Sequence, residues 1–413
     1  MHISLDSALG RQRRLNSVGE SVLQIAPNAA AAYSLRSLTG GDPRVVRVRR
    51  SSNNAEQDFT SSGVSSGALT SFVNEIQTLG TVTNSVGNDG FTLTNKSSTG
   101  FTATTDTATG VCGWPYTAKA GDKITVSFDA VIRSGTPQFI PRKATALSGS
   151  NLVDVVSDSA ISVNSTASYS FEFTYDSDEA GSLTFSEGDD NADFDINNFQ
   201  VTAFKGAGFV ETWYDQSGNI KHAVQATAAN QPKIVNAGIL LPNNGIDFDG
   251  SGDILAASSL SGMGSVISVI TASIRDSGTG ASVSVGSSAS SANTYFATIE
   301  DDSVSQTNAR NTTSVAVNAS VSGTTRLTFS LTTGQTSTKI GALGGTLVET
   351  TSDYGDDFTS GELDTVSIGE LRPSSGTTFN GRIREILVYN SDQTDNRGAI
   401  EANIANHYNI TLV

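Results

Sequence analysis

The run from Trp213 to Gln216 places a carboxylate, Asp215, directly after two large aromatic side chains. A buried aspartate in such a setting can act as a catalytic acid or base. The residues before it alternate as in a strand, and Ser217 and Gly218 follow as turn residues. An aspartate at this kind of position more often accepts backbone N–H bonds and caps the turn. We therefore expect Asp215, with its neighbours Trp213, Tyr214 and Gln216, to be structural, and catalysis is the alternative.

A second carboxylate, Glu56, lies in the polar run that follows Arg49 and Arg50. Its expected role is an ion pair with one of these two arginines beneath a sheet. Retaining glycosidases need two carboxyl groups about 5 Å apart, one as nucleophile and one as acid. Glu56 and Asp215 are therefore also the carboxylates to examine for hydrolysis.

Three aromatic residues, Trp114, Tyr116 and Phe139, are the candidates for contact with a sugar. A pyranose ring has an amphipathic face, and a flat aromatic side chain covers its C–H side at low entropic cost. The pattern Trp114-Pro115-Tyr116 is the best of these candidates. The alternative is that Trp114 fills the core of its own domain. Trp213 is expected to pack inside a sandwich.

The residue spacing gives little support for metal chemistry, and no cofactor is expected. His2, His222 and His407 show no ligand spacing, so zinc is unsupported. The run from Asp189 to Asp193 offers clustered carboxylates to calcium, but it lacks the glycine and terminal glutamate of a known loop. An exposed acidic turn is the alternative for that run. Cys112 is the one cysteine of the chain, which excludes an internal disulfide.

Charge is distributed unevenly along the chain of 413 residues, whose formal net charge is −16. Residues 1–50 carry eight basic and three acidic side chains, a net +5, which leaves −21 for the remainder. An acidic body argues against nucleic-acid binding. The basic start could meet an acidic protein partner, and the candidates for such an attachment are Arg11, Arg13 and Arg14. The arginines from Arg44 to Arg50 are interpreted instead as the polar face and ends of a strand.

Export and membrane signals are not found. The first thirty residues lack a continuous apolar core, so no signal peptide is expected. No apolar run approaches transmembrane length, so membrane insertion is not expected either. We therefore expect a chain that folds in a reducing cytoplasm.

The composition, rich in Gly, Ser, Thr and Asn and only 16% charged, is typical of an all-β protein. We predict an N-terminal attachment arm over 1–28 and one β-sandwich assembled from 29–78 and 206–413. The intervening residues, 79–205, are predicted to form an inserted jelly roll, because short alternating strands recur there at even spacing.

Particular strands and one helix follow from the periodicity. The segment Val266–Ile274 is strongly apolar without a break, which predicts a strand buried on both faces. Residues 391–408 predict a helix, since Ile400, Ile404 and Tyr408 fall four apart on one face. The other predicted strands lie near 45–50, 91–95, 100–104, 123–133, 168–175, 181–186, 194–204, 314–321, 325–331, 337–343, 363–369 and 382–389.

Three blocks together resemble a known family. They are Ala32-Tyr33-Ser34-Leu35-Arg36, the run from Val46 to Asp58, and Trp213-Tyr214-Asp215-Gln216-Ser217-Gly218-Asn219. They resemble the catalytic domain of the arabinofuranosidase B type, whose fold is a concanavalin A-like β-sandwich, and they are similar to blocks in many bacteriophage virion proteins. The ending, Gly381 to Asn390 followed by Ile400 to Ile404, also resembles those phage proteins. The inserted segment resembles a carbohydrate-binding jelly roll.

The resemblance implies the fold but not the catalysis of that family. Its nucleophile lies in a Cys-Cys segment ahead of a Gly-Asn-Ala-Glu run, and residues 277–310 contain no cysteine. Glu300 stands in a different context. No catalytic residue is therefore carried over, and an enzyme is not the favoured interpretation.

The favoured hypothesis is a bacteriophage virion appendage: a tail fibre, tail-tip protein or head fibre that binds host cell-surface glycans. It would be assembled in the host cytoplasm, attached to other virion proteins through its arm, exposed on the particle surface and homo-oligomeric, with a trimer as one option. The alternatives are a glycoside hydrolase acting on surface polysaccharide and a decoration protein that binds no glycan. Because fold does not imply function, the sequence does not decide among these.

Overall fold

The structure is a computed structural model that describes residues 20–74, 76–77, 79–84, 91–105, 110–118, 123–142, 160–175, 179–187, 191–204, 206–241, 245–289, 293–372 and 377–413. The predicted attachment residues Arg11, Arg13 and Arg14 lie outside these ranges. The chain divides into two compact units. One contains the described residues up to Thr70 together with Ala207–Val413, and the other is Ser71–Gly206.

The elements are as follows, in chain order. The first segment contains α1 (Val22–Ile25), β1 (Ala31–Ser34), β2 (Arg44–Arg50), β3 (Glu56–Thr60), α2 (Ser61–Ser65) and α3 (Ala68–Asn74). The middle of the chain contains β4 (Ile76–Gln77), β5 (Thr83–Asn84), β6 (Thr92–Thr94), β7 (Phe101–Thr104), β8 (Gly110–Ala118), β9 (Lys123–Ser134), β10 (Gln138–Arg142), β11 (Ile161–Ser162), β12 (Ala167–Thr174), β13 (Glu179–Glu187) and β14 (Asp193–Phe204). The remainder contains β15 (Gly208–Trp213), β16 (Ala223–Val224), a 3-10 turn (Ala228–Asn230), β17 (Lys233–Asn236), β18 (Ile239–Leu240), β19 (Ile246–Asp249), β20 (Leu255–Ala257), β21 (Val266–Arg275), β22 (Gly280–Gly286), β23 (Tyr295–Glu300), β24 (Val304–Arg310), β25 (Ser314–Ser320), β26 (Thr325–Thr333), β27 (Thr338–Ala342), β28 (Val348–Thr350), β29 (Thr365–Ile368), β30 (Asn380–Tyr389) and α4 (Thr394–Tyr408).

The larger unit is an antiparallel β-sandwich, as the sequence predicts. One run of paired strands is β3-β2-β15-β17-β19-β30-β21-β26-β27-β28. The other is β16-β20-β29-β22-β23-β24-β25. Strand β15 joins the runs by pairing with β16, so hydrogen bonding is continuous around the unit. Strands from both sides of the insert therefore form one sheet system.

The two layers face each other across a core that is partly polar. Thr298 and Ser330 lie on facing strands with their hydroxyl oxygens 2.9 Å apart, and both side chains are fully buried. Elsewhere the facing surfaces are apolar, as where Val317 of β25 packs against Ile340 of β27. The hydroxyl pairs satisfy each other, which keeps the cost of burying them low.

Helices cover the outer face of one layer. The helix α4 begins at Thr394, three residues later than predicted, and Asp392 accepts the backbone N–H of Thr394 at 2.8 Å. Ile400 and Ile404 are buried as predicted, and they join α1 and the apolar residues of β21, β26 and β30 in one cluster. None of the described helices is long and apolar enough to cross a lipid bilayer.

The inserted unit consists of two sheets packed over an aromatic core. Their strand orders are β11-β10-β13-β8-β5 and β12-β9-β14-β7-β6, and β4 pairs with β14. Phe101, Phe128, Phe185 and Phe194 lie between the sheets and are buried. Phe185 meets Phe128 edge-on with ring centroids 5.0 Å apart, the geometry that aromatic quadrupoles favour. This packing confirms the sandwich or jelly-roll class predicted for the segment.

One carboxylate of the larger unit makes stability depend on pH. Burial, together with the charges of Asp249 and Asp247, raises the pKa of Asp253 to about 6 from 3.8, although a hydrogen bond from the Asp249 N–H opposes the rise. Below pH 3.8 the group is protonated in both the folded and unfolded chain. Between pH 3.8 and about 6 the unfolded chain releases this proton first, so stability falls as pH rises through that window.

We predict that Asp253→Asn is stabilising at neutral pH by about 1 kcal/mol, a value reduced for the partial exposure of the group. The asparagine keeps an oxygen that can accept from the Asp249 N–H. Urea unfolding of both proteins at a series of pH values measures the difference. The two curves should converge near pH 4. A constant difference at every pH would contradict the assignment.

Candidate functional site

Asp215 is a turn-holding residue, as expected. Its Oδ1 accepts the backbone N–H groups of Ala32 at 2.8 Å and Ser217 at 2.9 Å. Its Oδ2 accepts the N–H of Lys221 at 2.9 Å and the hydroxyl of Ser217 at 2.8 Å. The side chain is 9% exposed. A carboxylate whose oxygens are occupied in this way is not placed for catalysis.

The neighbours of Asp215 hold the segment 32–38 in position. The Gln216 side chain accepts the N–H of Leu38 at 2.8 Å and donates to the carbonyls of Ser34 and Arg36, each at 3.0 Å. Trp213 is fully buried, with its ring centroid 5.8 Å from that of Tyr33. The motif therefore fixes the backbone of a segment that lines the cleft described below.

The predicted ion pair of Glu56 beneath the sheet is wrong, because Glu56 is exposed. Buried Arg49 donates instead to Gln231 Oε1 at 2.7 Å and to Asn54 Oδ1 at 2.9 Å. Arg50 Nε donates to Asn53 at 2.9 Å.

The carboxylate that pairs with arginines of β2 is Asp58, for which the sequence predicts no ion pair. Asp58 lies 2.8 Å from Arg47 Nε and 3.1 Å from Arg44 Nη1, and it accepts the Tyr214 hydroxyl at 2.7 Å. The hydrogen bond from Arg47 is the main cause that lowers the pKa of Asp58 to about 2. The register places Glu56 opposite Arg49, as the prediction requires, but the Arg49 side chain is buried against Gln231 and Asn54 while Glu56 is exposed, which explains the error.

The prediction of an exposed sugar platform at Trp114, Tyr116 and Phe139 is also wrong. Their side chains are 0%, 5% and 0% exposed, and all three belong to the aromatic core of the insert. Trp114 stacks on Phe199 with ring centroids 3.9 Å apart and planes 13° from parallel. A sugar needs an accessible ring face, so the alternative given for Trp114, a core residue, is confirmed.

The described residues contain no site arranged to bind a metal ion. Asp189 and Asp190 of the acidic run lie outside the described ranges. Asp193, at the end of the same run, accepts from Arg133 Nη2 at 2.6 Å. No group of three histidine, cysteine or acidic side chains is placed to hold a metal within the ranges that the structure describes.

A cleft of about 440 Å³ in the larger unit is the site where polar side chains converge. It lies where the segment after β1, the turn before β2, helix α2 and the end of α4 meet. Its lining is formed by Leu35, Arg36, Ser37, Gly41, Asp42, Ser61, Ser62, Val64, Ser65 and His407. Leu35 and Val64 are almost buried and supply the apolar part of the surface.

Arg36 forms one wall, and its charge is already matched. Its Nε lies 2.7 Å from Glu385 Oε2, and its Nη2 lies 2.9 Å from Glu385 Oε1 and 2.8 Å from Asn403 Oδ1. The Glu385 side chain is fully buried, whereas that of Arg36 is 15% exposed. The two-point contact fixes the plane of the guanidinium group, as paired nitrogens and oxygens do in such bridges. His407, beside it, has a lowered pKa because of burial and the nearby Arg36 charge.

Asp42 and three serines form the opposite wall. Asp42 Oδ1 accepts the Ser61 hydroxyl and the Ser62 N–H, each at 2.8 Å, and Oδ2 accepts the Ser62 hydroxyl at 2.6 Å. These hydrogen bonds lower the pKa of Asp42 to about 2, with Ser62 the largest cause. The carboxylate is therefore ionised at every physiological pH. Ser65 completes the hydroxyl row.

The cleft offers binding groups but not a hydrolytic pair. A glycosidase needs one carboxyl group that is protonated and a second that is ionised. Among the described residues that line the cleft, Asp42 is the one carboxylate, and it stays ionised. Glu385, behind Arg36, is fully buried and held in the ion pair. The arrangement can bind a small polar ligand without supplying its acid catalyst.

Sequence reasoning misses this site because its lining comes from four separated segments. Each of them, taken alone, is a turn, a polar loop or the end of a helix. The one local signal is the serine-rich start of α2, Ser61-Ser62, whose capping partner Asp42 lies nineteen and twenty positions upstream. Nothing in the sequence pairs these positions, since the contact depends on the β2–β3 hairpin.

No protein-family model matches the chain, and no curated protein does. Among solved structures, an arabinofuranosidase complexed with arabinofuranosyl-α-1,2-xylobiose is 12% identical over 68% of this chain and 62% of its own, with a TM-score of 0.37. A Trypanosoma rangeli sialidase is 11% identical over 58% of this chain and 42% of its own, with a TM-score of 0.33.

A third similar structure is the CBM40 module of a Ruminococcus gnavus IT-sialidase bound to α2,6-sialyllactose. It is 15% identical over 34% of this chain and 84% of its own, with a TM-score of 0.29. These TM-scores are low, so the assignment of an all-β sandwich with an inserted jelly roll rests on the strand pairings given above.

Proposed function

We propose that this protein binds glycan without cleaving it, and that the cleft beside Arg36 and Asp42 is the binding site. The observation that carries the proposal is the composition of the cleft. It combines a row of serine hydroxyls, an ionised carboxylate and a fixed guanidinium group around a small apolar surface, within a volume suited to one or two sugar rings. Binding sites of this kind use a few placed polar groups for orientation.

The geometry fits sugar chemistry in particular. Sugar hydroxyls both donate and accept, so they are matched by acceptors such as Asp42 Oδ2 and by the serine hydroxyls. The hydrogen bonds within each wall hold the polar groups in place before a ligand arrives, which reduces the entropy lost on binding.

The proposal extends to the role of the protein in a virion. What supports this part is the resemblance of the blocks 32–36, 46–58 and 213–219 to segments of bacteriophage virion proteins. We propose a surface-exposed virion appendage that contacts host polysaccharide and attaches to other virion proteins through residues 1–28, as a homo-oligomer. Cofactors play no part in this function.

The test of the binding site is a variant that fills it. Gly41 lines the cleft, and a Cβ added there would meet no atom within 4 Å, so Gly41→Leu should fold normally and occupy space that a sugar needs. We expect at least a tenfold rise in Kd for whichever member of an oligosaccharide panel the parent protein binds best. Isothermal titration calorimetry measures this, and a reducing-sugar assay on the same samples reports hydrolysis.

The matched control is Gly80→Leu, since Gly80 is an exposed glycine of the insert with the same open space around its Cβ position. It should leave Kd within twofold of the parent value. Equal loss of binding in both variants, or none in either, would remove the cleft as the site. Release of sugar by the parent protein would replace the proposal with hydrolysis.

A further inference from the structure

The charge balance of the cleft determines which glycans it accepts. The positive charge of Arg36 on the cleft wall is offset, because its guanidinium group is bridged by both oxygens of Glu385, which is buried behind it. His407 is predominantly neutral near pH 7, because its pKa is lowered from 6.5. Of the lining residues that the structure describes, the one whose charge remains without a partner is Asp42.

Asp42 keeps its charge without a cation to match it. The donors that surround it are the hydroxyls of Ser61, Ser62 and Thr60 and the Ser62 backbone N–H, all of them neutral. Within the described part of the chain, no lysine or arginine forms an ion pair with it. Its side chain is exposed, so a ligand in the cleft can reach the carboxylate. An ionised and accessible carboxylate without a cationic partner therefore lies at the cleft wall.

We infer that the cleft selects glycans that carry a free amino group, that is, 2-amino-2-deoxy sugar units in their unacetylated form. The protonated amine of such a unit donates to Asp42 Oδ2, and the ring hydroxyls contact the serines and Arg36. This inference rests on the proposed function of the cleft. An N-acetylated unit has no charge to offer, and a uronic or sialic acid brings a second negative charge beside Asp42.

The charge of the whole chain acts in the same direction. The formal net charge of −16 gives the protein surface a negative potential, which favours cationic over anionic ligands. Since this long-range part is screened by salt, the selectivity should decrease as ionic strength rises. The short-range contact with Asp42 is expected to persist in part.

The experiment compares two tetrasaccharides of β1,4-linked glucosamine, one unacetylated and one fully N-acetylated, in buffer near pH 7, where His407 is predominantly neutral and a substantial fraction of the amines is protonated. Calorimetry with the whole chain should give a Kd about threefold to fivefold lower for the unacetylated sugar, the upper part of the range of an exposed charge pair. Asp42→Asn, which can still cap α2, should bring the two Kd values together. Raising the salt concentration should reduce the difference in the parent protein.

The control is Asp392→Asn, which changes an exposed aspartate that accepts the backbone N–H of Thr394 in the same way, at a position that does not line the cleft. It should keep the preference of the parent protein, and thermal unfolding should show both variants folded. Equal Kd values for the two sugars, or tighter binding of the acetylated one, would overturn the inference and leave the binding site intact. A preference that survives in Asp42→Asn would also overturn it. If Gly41→Leu loses all binding but the parent protein shows no preference between the two sugars, the cleft is the binding site and the inference about amino sugars is wrong.

Discussion

Replacing Glu385 with glutamine is expected to lower the free energy of unfolding of the sandwich by about 3 kcal/mol. The Glu385 side chain is fully buried and bridges Arg36 at two points, and the hydroxyl of Ser34 also donates to it at 3.1 Å. The glutamine has the same shape but no charge, so Arg36 is left mostly buried without its counter-ion. The cost arises from that unpaired charge more than from the lost bridge.

Urea unfolding followed by tryptophan fluorescence measures the change, in a Trp114→Phe background where Trp213 of the sandwich is the remaining tryptophan. Glu349→Gln is the matched control. Glu349 is 45% exposed and lies 3.4 Å from Lys339, so the loss should stay below about 1 kcal/mol. Arg36→Met combined with Glu385→Leu should recover much of the stability, because no buried charge remains. Equal losses for the two glutamine variants would contradict the assignment.

Replacing Trp114 with alanine is expected to destabilise the inserted unit by about 4 kcal/mol. The indole is fully buried, stacks on Phe199 and has its ring centroid 5.6 Å from that of Phe101. Its removal leaves a cavity in a close-packed aromatic core, which the neighbouring rings fill only in part. Hydrogen exchange should accelerate in β9 and β14 of the insert and remain unchanged in β21 and β26 of the sandwich.

A glycan-binding measurement distinguishes a core role for Trp114 from a role in contacting sugar. Because the cleft lies in the sandwich, the Trp114→Ala protein should bind glycan with a Kd within twofold of the parent value. Trp114→Phe should cost less than the alanine change, and Val131→Ala, at a residue 36% exposed in the same unit, should cost under about 1 kcal/mol. If the Trp114→Ala protein lost glycan binding while its hydrogen exchange stayed unchanged, Trp114 would instead be a sugar-contacting residue.

The strands that the sequence predicts are those with clear alternation or continuous burial. Ile124, Val126 and Phe128 mark β9, and the apolar run of β21 marks a strand buried on both faces, as found. Strands β8 and β10 are missed, because Pro115 and Pro141 interrupt them and suggest loops. Yet Cys112, Trp114, Tyr116 and Ala118 alternate toward the core of the insert, so the signal for β8 was present.

Strand β22 is not predicted from the sequence, for a different reason. Its residues are Gly, Ala, Ser and Val, a composition typical of loops, and all seven are buried. The small side chains fit because other segments lie close to the strand. A Cβ on Gly280 would lie 2.3 Å from the carbonyl oxygen of Thr378. Such close approach is a property of the folded chain and leaves no pattern in the local sequence.

The candidate site was less predictable than the fold. The sequence identifies the motif around Asp215, and its structural role is the one expected. The motif residues hold the backbone of the segment 32–38 in position, but they do not line the cleft themselves. Arg36 lies in a motif block, whereas its partner Glu385 lies 349 positions away. Periodicity predicts elements, but it does not show which distant charged groups become neighbours.

The pairing of β1 with β30 has a consequence for how the protein is made. Ala31 pairs with Val388, and the hydroxyl of Ser34 reaches Glu385, 351 positions along the chain. The ribosome synthesises β1 first and β30 near the end, so β1 is made long before its partner strand. Throughout that interval, including the whole time needed to make the insert, the apolar strand Ala31–Ser34 has no partner strand. The sandwich can therefore close only after β30 has been synthesised and has left the ribosome, and an unpaired strand in a nascent chain favours aggregation until then.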